Sequence, residues 1–418
     1  MKVLGIVAEY NPFHNGHLYH LEASRALTGA GCVVAVMSGN FTQRGEPAVV
    51  DKWARAEMAL HCGVDLVIEL PVLYAMSSAE YFAFGAIKLL DSLGVVDTLC
   101  FGSEFGLINK LEQTAAILFD EPDEYKTLLK ACLSSGKSFP AARQMALSEY
   151  LKAKYHKDDL SELLKNPNNI LGIEYLKALM RLNSRIVPLT VGRVGNDYNA
   201  VELTGSISSA TSIRKVLSSN PWFGARELLE SCLTNTSLAI LEREAEVGRG
   251  PLFPPDFTQL LLSTLRKMTN DEIKKLPYME NGLENRIRLA VGNSANWQEL
   301  VDKICTRRYT ITRVQRILFS ALAGIDNDSL EYFSRLGGPA YIRILGFNET
   351  GRKLLSEIRG KATLPVITKT ASHKNSPAVG VARMLRLEAA ATDQYVIACP
   401  NPYMRKSGIE FTKNVVIC

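Results

Sequence analysis

Lys2–His20 reads KVLGIVAEYNPFHNGHLYH: an apolar β-branched run, a short polar break, then His-Asn-Gly-His opening a helix. Val3–Ala8 has the composition of a strand buried on both faces, and Glu9-Tyr10-Asn11-Pro12-Phe13 ends it before a helix begins near Asn15. His14 and His17 then face the same way at the start of that helix. A helix N-terminus offers unpaired N–H groups and a partial positive charge, so anionic phosphates are favoured there. Gly16 lets a base or ribose lie against the backbone. The imidazoles add donors where charge develops on a phosphate, with no covalent intermediate required. This pattern points to attack on the α-phosphate of a nucleoside triphosphate. The plainer reading is a helix that opens on two solvated histidines; the position after a first strand favours the phosphate reading.

From this strand outward, strand and helix patterns alternate. Val3–Ala8, Cys32–Met37, Asp65–Leu70, Val96–Gly102 and Arg185–Val191 read as strands, separated by helical patterns such as Leu18–Leu27, Asp51–His61 and Ala79–Ser92. The alternation predicts an α/β fold with a doubly wound parallel sheet and ligands at the carboxyl ends of its strands. The loops there are polar, at Ser38–Glu46 and at Gly102-Ser103-Glu104. Phe119–Asn166 reads as a mostly helical insertion.

The 418 residues exceed one core, so two domains are expected: 1–222 binding the nucleotide, and 223–418, mainly helical and basic. Charge divides the same way. Up to Trp222 there are 21 Lys and Arg against 23 Asp and Glu, a net of −2; beyond it 27 stand against 20, a net of +7. Such asymmetry suggests a second half that meets a polyanion. No apolar window is long enough to span a bilayer, and the N-terminus lacks the pattern of a secretory leader. The eight cysteines are scattered with no C-x-x-C pair, which argues against a zinc site or a disulfide framework. A cytoplasmic protein with reduced thiols, no protein-held metal, and no membrane or DNA partner is the expectation.

Four further stretches carry polar chemistry. In Asp51-Lys52-Trp53-Ala54-Arg55, Asp51 can cap a helix whose first turn aims Lys52 and Arg55 at the same end of the sheet; a solvated helix face is the even alternative. In Thr204–Lys215 (TGSISSATSIRK), hydroxyls of Ser208, Ser209 and Thr211 at a helix start can donate to phosphate, and Arg214 can follow a leaving pyrophosphate. Ordinary Ser/Thr capping is its alternative. Asn166–Tyr175 opens an apolar helix whose Asn168 and Asn169 either read an adenine edge or ribose, or simply cap. Lys303, Arg307, Arg308, Arg313 and Arg316 fall within fourteen residues that contain no acid, with Tyr309 among them, and Arg343, Arg352, Lys353, Arg359, Lys361 and Lys369 follow, mostly on segments read as helix or loop. Cations with an interleaved aromatic fit phosphate contact plus base stacking; a solvated helix face is the usual alternative.

The His-Asn-Gly-His box and the late Ile-Ser-Ser-Ala-Thr-Ser-Ile-Arg segment together resemble the nucleotidylyltransferase superfamily, with its H-x-G-H and I-S-S-T-x-I-R boxes. Ala210 is one residue extra in the second box. The longer strings EYNPFHNGH (Glu9–His17), SGNFTQRGEPA (Ser38–Ala48), DKWAR (Asp51–Arg55), FGSE (Phe101–Glu104), NNILGIEY (Asn168–Tyr175), RILGFNETG (Arg343–Gly351) and LPVITK (Leu364–Lys369) resemble the bacterial tRNA(Met) cytidine acetate ligase family over nearly the whole chain.

That resemblance implies a two-step reaction. Acetate attacks the α-phosphate of ATP to give acetyl-adenylate and pyrophosphate, and N4 of the wobble cytidine of elongator tRNA(Met) then takes the acetyl. It carries ATP contacts to Val7, Ala8, Glu9, Tyr10, Asn11, Pro12, Phe13, His14, Asn15, Gly16, His17, Leu18, Tyr19 and His20, and to Gly102, Asn168, Asn169, Arg193 and Val194. His14, His17, Lys52 and Arg214 are the expected catalytic cations and donors, with Mg²⁺ accompanying the triphosphate. Lys303, Arg307, Arg308, Arg313 and Arg316 are the expected tRNA contacts. Glu104 is the acid considered for the cytidine amino proton, against a plain surface acid. Two other functions use the same residues: a small-molecule adenylyl- or cytidylyltransferase, and a non-catalytic RNA-binding protein with a relic nucleotide fold. The long basic second half weighs against the first, and intact His14, Gly16 and His17 against the second.

Overall fold

The computed structural model describes residues 1–104, 106–137, 139–155, 161–192 and 207–418. Among them one sheet holds eight strands: β1 (Val3–Ala8), β2 (Cys32–Ser38), β3 (Leu66–Leu70), β4 (Thr98–Ser103), β5 (Val187–Gly192), β6 (Ile342–Phe347), β7 (Val366–Ile367) and β8 (Val416–Ile417). Their order is β5-β4-β1-β2-β3-β6-β7, with β8 beside β6. The first five run parallel, β1 meeting β2 from Val3 opposite Cys32 to Ala8 opposite Met37. Every residue of β2 and β3 is buried, because helices cover both faces and β-branched side chains fill the space beneath them. All five strands expected in this half appear, within two residues of the expected ends.

This order puts β1 between β2 and β4, the point where the winding of the sheet reverses. Loops leaving the carboxyl ends of β1, β2 and β4 therefore meet over one crevice. The first helix, Asn15–Thr28, starts at the expected Asn15, and its opening turn is the polar His-Asn-Gly-His box with His14 as cap. Helices Asp123–Ser134 and Phe139–Tyr155 form the expected insertion.

The second half is mostly helical as expected, but it also completes the sheet. β6 runs antiparallel to β3, with Leu66 opposite Phe347 and Glu69 opposite Arg343, so the sheet crosses the boundary expected at residue 222. Arg343 is accordingly on a strand and 2% exposed, not on an RNA-facing helix or loop.

Arg343 belongs to a buried charge cluster that also corrects the expectation for Lys52. The Lys52 side chain has no exposed surface, and its Nζ lies 2.6 Å from Glu69, 2.7 Å from Glu410 and 3.4 Å from Glu388. Arg343 pairs with Glu410 from the other side. Thr392 Oγ1 donates to Glu410 (2.8 Å), and the Val72 N–H donates to Glu388 (2.8 Å). Burial pushes the Glu410 carboxyl up, but Lys52 and Arg343 outweigh it and bring it down to about 2. Burial and the neighbouring Glu388 hold Glu69 well above the usual carboxylate range. Lys52 is thus a structural cation that fastens β6 and the C-terminal helices onto β3; it does not reach the nucleotide crevice.

Removing one partner of such a group strands a charge out of water. Lys52→Met is expected to cost about 3–5 kcal/mol of folding stability, read by denaturant unfolding. A loss under about 1 kcal/mol would show that the acids relax without their cation.

Candidate nucleotide-binding site

The residues after β1 are clamped from every side. Arg55, fully buried, donates to the carbonyls of Glu9 (2.6 Å), Ser38 (3.0 Å), Val50 (3.1 Å) and Gly39. It is a strut joining the ends of β1 and β2, not a cation offered to ligand. The Val49 N–H donates to Asn11 Oδ1 (2.8 Å), and Arg214 donates to the Asn11 carbonyl (3.2 Å). Tyr10 takes a left-handed φ of 47°, unusual for a bulky residue, and its ring packs against Phe13 (4.8 Å) and His17 (4.9 Å).

This clamp aims the chain into the first helix, where the two histidines cap each other. The Gly16 N–H donates to His14 Nδ1 (3.0 Å), and the His14 N–H donates to His17 Nδ1 (3.3 Å). The rings stack with centroids 3.7 Å apart. Because Nδ1 is an acceptor in both, each neutral ring carries its proton on Nε2. The helix's own amides are spent: Asn15 N–H goes to the Cys232 carbonyl (3.0 Å), and those of His17 (2.8 Å) and Leu18 (3.1 Å) to the His14 carbonyl. The open amides expected at this terminus are therefore absent, and the imidazole edges take over as donors. Gly16 also has a reason the sequence hid, since a Cβ there would lie 2.9 Å from His14 Cε1.

The open amides belong to another helix, Ala210–Ser219. Ser209 caps it by accepting from the Ser212 N–H (3.1 Å), while no described residue accepts from the N–H groups of Ala210 and Thr211. The extra residue of the second box is thus the helix's first residue. Arg214, one turn in, reaches both the Asn11 carbonyl and Glu46 (3.2 Å).

These elements enclose a cavity of about 210 Å³. Val7, Ala8, Glu9, Tyr10, Asn11, His14, Gly16, His17, Tyr19 and His20 line it, as do Gly102, Asn168, Ser208, Ser209, Thr211 and Arg214. Pro12, Phe13, Asn15, Leu18, Asn169 and Lys52 do not. Phe13 is core, and Asn15 Nδ2 is turned to the Ser231 carbonyl (3.0 Å). Asn169 Oδ1 accepts from Ser103 Oγ (2.8 Å) and from the Glu104 N–H (3.2 Å). Glu104 in turn accepts from Asn168 Nδ2 (2.7 Å) and the Asn169 N–H (3.1 Å), which engages it at the start of the Pro167–Leu182 helix, and it does not line the cavity. Arg193 and Val194, like Thr204–Ser206 just before the second box, lie outside the described residues.

Two further walls close the cavity, an apolar one that the sequence did not mark and the polar loop after β2 that it did. Phe82, Phe101, Leu171 and Tyr175 form an apolar side against β4, where Gly172 lets its helix approach the Phe101 ring. Gln43 and Arg44 come from the loop after β2, the place the topology assigns to a site. Beyond Arg44, Thr211 and Arg214 an adjoining cavity of about 260 Å³ reaches Lys215 and Ser218. No group of three His, Cys, Asp or Glu among the described residues could hold a metal.

The HIGH Nucleotidyl Transferase family model matches residues 1–409. The tRNA(Met) cytidine acetate ligase of Acetivibrio thermocellus is 51% identical over 417 residues, covering 100% of both chains, and that of Caldanaerobacter subterraneus subsp. tengcongensis is 46% identical over 96% of each. The chain belongs to the tRNA(Met) cytidine acetate ligase family of HIGH nucleotidyl transferases. The crystal structure of Thermotoga maritima TmcAL superposes with a TM-score of 0.94 at 39% identity, and the same protein bound with alpha-thio ATP with 0.93 at 38%. Each covers 100% of this chain and 99% of the other.

In this ligase-family chain the basic segment divides. Lys303, Arg307 and Arg308 are exposed: Arg307 has no described partner, Lys303 donates to the Asn293 carbonyl, and Arg308 pairs with Glu280 (2.5 Å), whereas Arg313 is less exposed and bound to the Tyr278 carbonyl as well as to Glu280 (2.8 Å). Arg316 donates to the Gln43 carbonyl (2.8 Å), so it braces the cavity loop. Tyr309 lies between the Arg308 and Arg313 guanidinium groups, 5.8 and 5.3 Å from its centroid.

The capping geometry makes a direct prediction. Gly16→Ala drives the His14 ring off its cap and is expected to raise the ATP Kd about tenfold to a hundredfold, the worth of one lost charge-assisted hydrogen bond. Calorimetric titration reads it, with circular dichroism expected to stay unchanged.

Proposed function

We propose that the chain joins acetate to ATP as acetyl-adenylate and transfers the acetyl group to N4 of the wobble cytidine of elongator tRNA(Met), in the cytoplasm. The observation that carries the reading is the convergence of two capped helix termini on one cavity, one supplying imidazole Nε2–H donors and the other open amides followed by Arg214. The apolar side formed by Phe101 and Tyr175 suits a purine, and the histidines and the Ala210–Ser219 terminus suit the triphosphate. In-line attack by an acetate oxygen places growing charge on the α-phosphate oxygens, where neutral imidazoles donate without losing a cation's solvation. Pyrophosphate leaves toward Arg214, Arg44 and Lys215 in the adjoining cavity. Mg²⁺ would be held by phosphate oxygens and water, since among the described residues the cavity wall offers Glu9 as its one carboxylate. The exposed cations Lys303, Arg307 and Arg308 would meet the tRNA backbone, which assigns RNA contact to residues 223–418 and nucleotide chemistry to residues 1–222.

Acetate-dependent ATP–pyrophosphate exchange, followed by mass spectrometry of the tRNA, tests the reading. Exchange that ignores acetate and responds to a phosphorylated metabolite would overturn it in favour of small-molecule nucleotidyl transfer. His17→Ala is expected to abolish adenylate formation while leaving tRNA binding within a few-fold, as measured by filter binding. Joint replacement of Arg307 and Arg308 by Ala should flatten the salt dependence of tRNA binding by about one to two charges; an unchanged slope would move the RNA contact elsewhere.

A further inference from the structure

Glu9 does not belong in a cavity built for anions. Among the described residues that line it, Glu9 is the one acid, and its charge opposes the triphosphate that His14, His17, Arg44 and Arg214 favour. The structure nevertheless holds it in place with care. Its carbonyl is fixed by Arg55 (2.6 Å) and its Oε1 by the Gln43 N–H (2.6 Å), while no described residue bonds Oε2. On the far side of the same residue, the Gln43 carbonyl accepts from Arg316 (2.8 Å) of the Ile311–Ala323 helix. Glu9 therefore stands where the cavity meets the basic half, on the β2 side of β1.

We propose that the Glu9 carboxylate is the base that takes the N4 proton during acetyl transfer, an assignment that rests on the function proposed above. The cytidine nitrogen attacks the acetyl carbonyl carbon, a C–N bond forms, and the C–O bond to the phosphate breaks with its electron pair leaving on AMP. The N4 proton passes to Glu9 Oε2 and from there to water.

The other candidates are occupied or misplaced. His14 and His17 use Nδ1 in the mutual cap and present Nε2–H, so neither accepts a proton without breaking the helix start. His20 sits a turn further along a helix that packs on β4 and β5, the base side of the cavity. Glu104 is committed to the Asn168–Asn169 cap. Around Glu9 the charged groups among the described residues are Arg44 and Glu46 on the loop after β2, Arg55, Arg214 and Arg316. Burial raises its carboxyl above the ordinary value, against the Gln43 N–H, Arg44 and Arg214, which brings it closer to the working pH of a base.

The test uses the full chain with ATP, labelled acetate and unmodified tRNA(Met). Wild type must first show acetate-dependent exchange and acetyl-tRNA; if it shows neither, the proposed function fails whatever Glu9 does. Given both, Glu9→Gln keeps an acceptor for the Gln43 N–H. It is expected to slow single-turnover transfer by about 10²–10⁴-fold, at least tenfold more than it slows acetate-dependent exchange. Glu9→Asp should recover part of the loss. The acid limb of the wild-type transfer rate should lie above the ordinary carboxylate range and vanish in Glu9→Gln. Parallel loss of exchange and transfer would instead make Glu9 an ATP ligand. Transfer within threefold of wild type would assign the proton to the departing phosphate. Either result overturns the proposal.

Discussion

A lysine with no exposed surface holds this molecule together. Lys52 and Arg343 can remain charged in the interior only because Glu69, Glu388 and Glu410 surround them, and those acids come from both ends of the chain. A buried cation without its acids would be costlier than any single contact in the core, so the C-terminal strand and helices have one docking register on β3. Everything nearer the nucleotide inherits that register. Asn40, whose Oδ1 accepts from the Lys52 N–H (2.9 Å) and whose Nδ2 donates to Thr392 (3.2 Å), ties the β2 loop to the same cluster.

The cavity divides its work between two helix termini that look alike in sequence. At Asn15 the amides are consumed by the cap, and the donors are rings whose protonation state is set by the backbone they bind. At Ala210 the cap serves Ser212 and leaves two amides open. The first arrangement gives rigid, neutral donors; the second gives a positive field with Arg214 behind it. A reacting phosphate benefits from both, since neutral donors need little desolvation and the field draws pyrophosphate away.

How far the sequence reveals this follows from the range of each interaction. Strand order and the crevice are local consequences of βα alternation, so β1 to β5 and the loops at Ser38–Glu46 and Gly102–Glu104 are legible in the chain. The histidine pair is legible because both partners lie within one helical turn. Lys52 is not: its acids stand 17, 336 and 358 residues away, and its helix reads as a solvated face until they are placed. Arg343 fails for the same reason, and β6 with it, since a short apolar run beside a cation fits a helix as well as a strand. Arg313 and Arg316 show that a run of cations without acids need not be a surface, because each finds a backbone carbonyl on a distant loop. Gly16 carries the right residue for a reason the sequence did not disclose, the ring folded back over its amide.

These long-range contacts bear on why one chain would run two reactions. An acyl-adenylate hydrolyses if it waits, so the acceptor must arrive at a site already aligned with the activated acid. The Gln43 backbone is held at its carbonyl by Arg316 from the basic half and donates its N–H to Glu9 at the end of β1, so one residue links the surface that would receive tRNA to the carboxylate facing the cavity. A displacement of the Ile311–Ala323 helix would be felt directly at Glu9, because Gly45 already lets the Arg316 backbone approach so closely that a Cβ at residue 45 would stand 2.4 Å from its nitrogen. Such tight contact transmits position, and the buried cluster at Lys52 keeps both halves in the one arrangement where that position is correct.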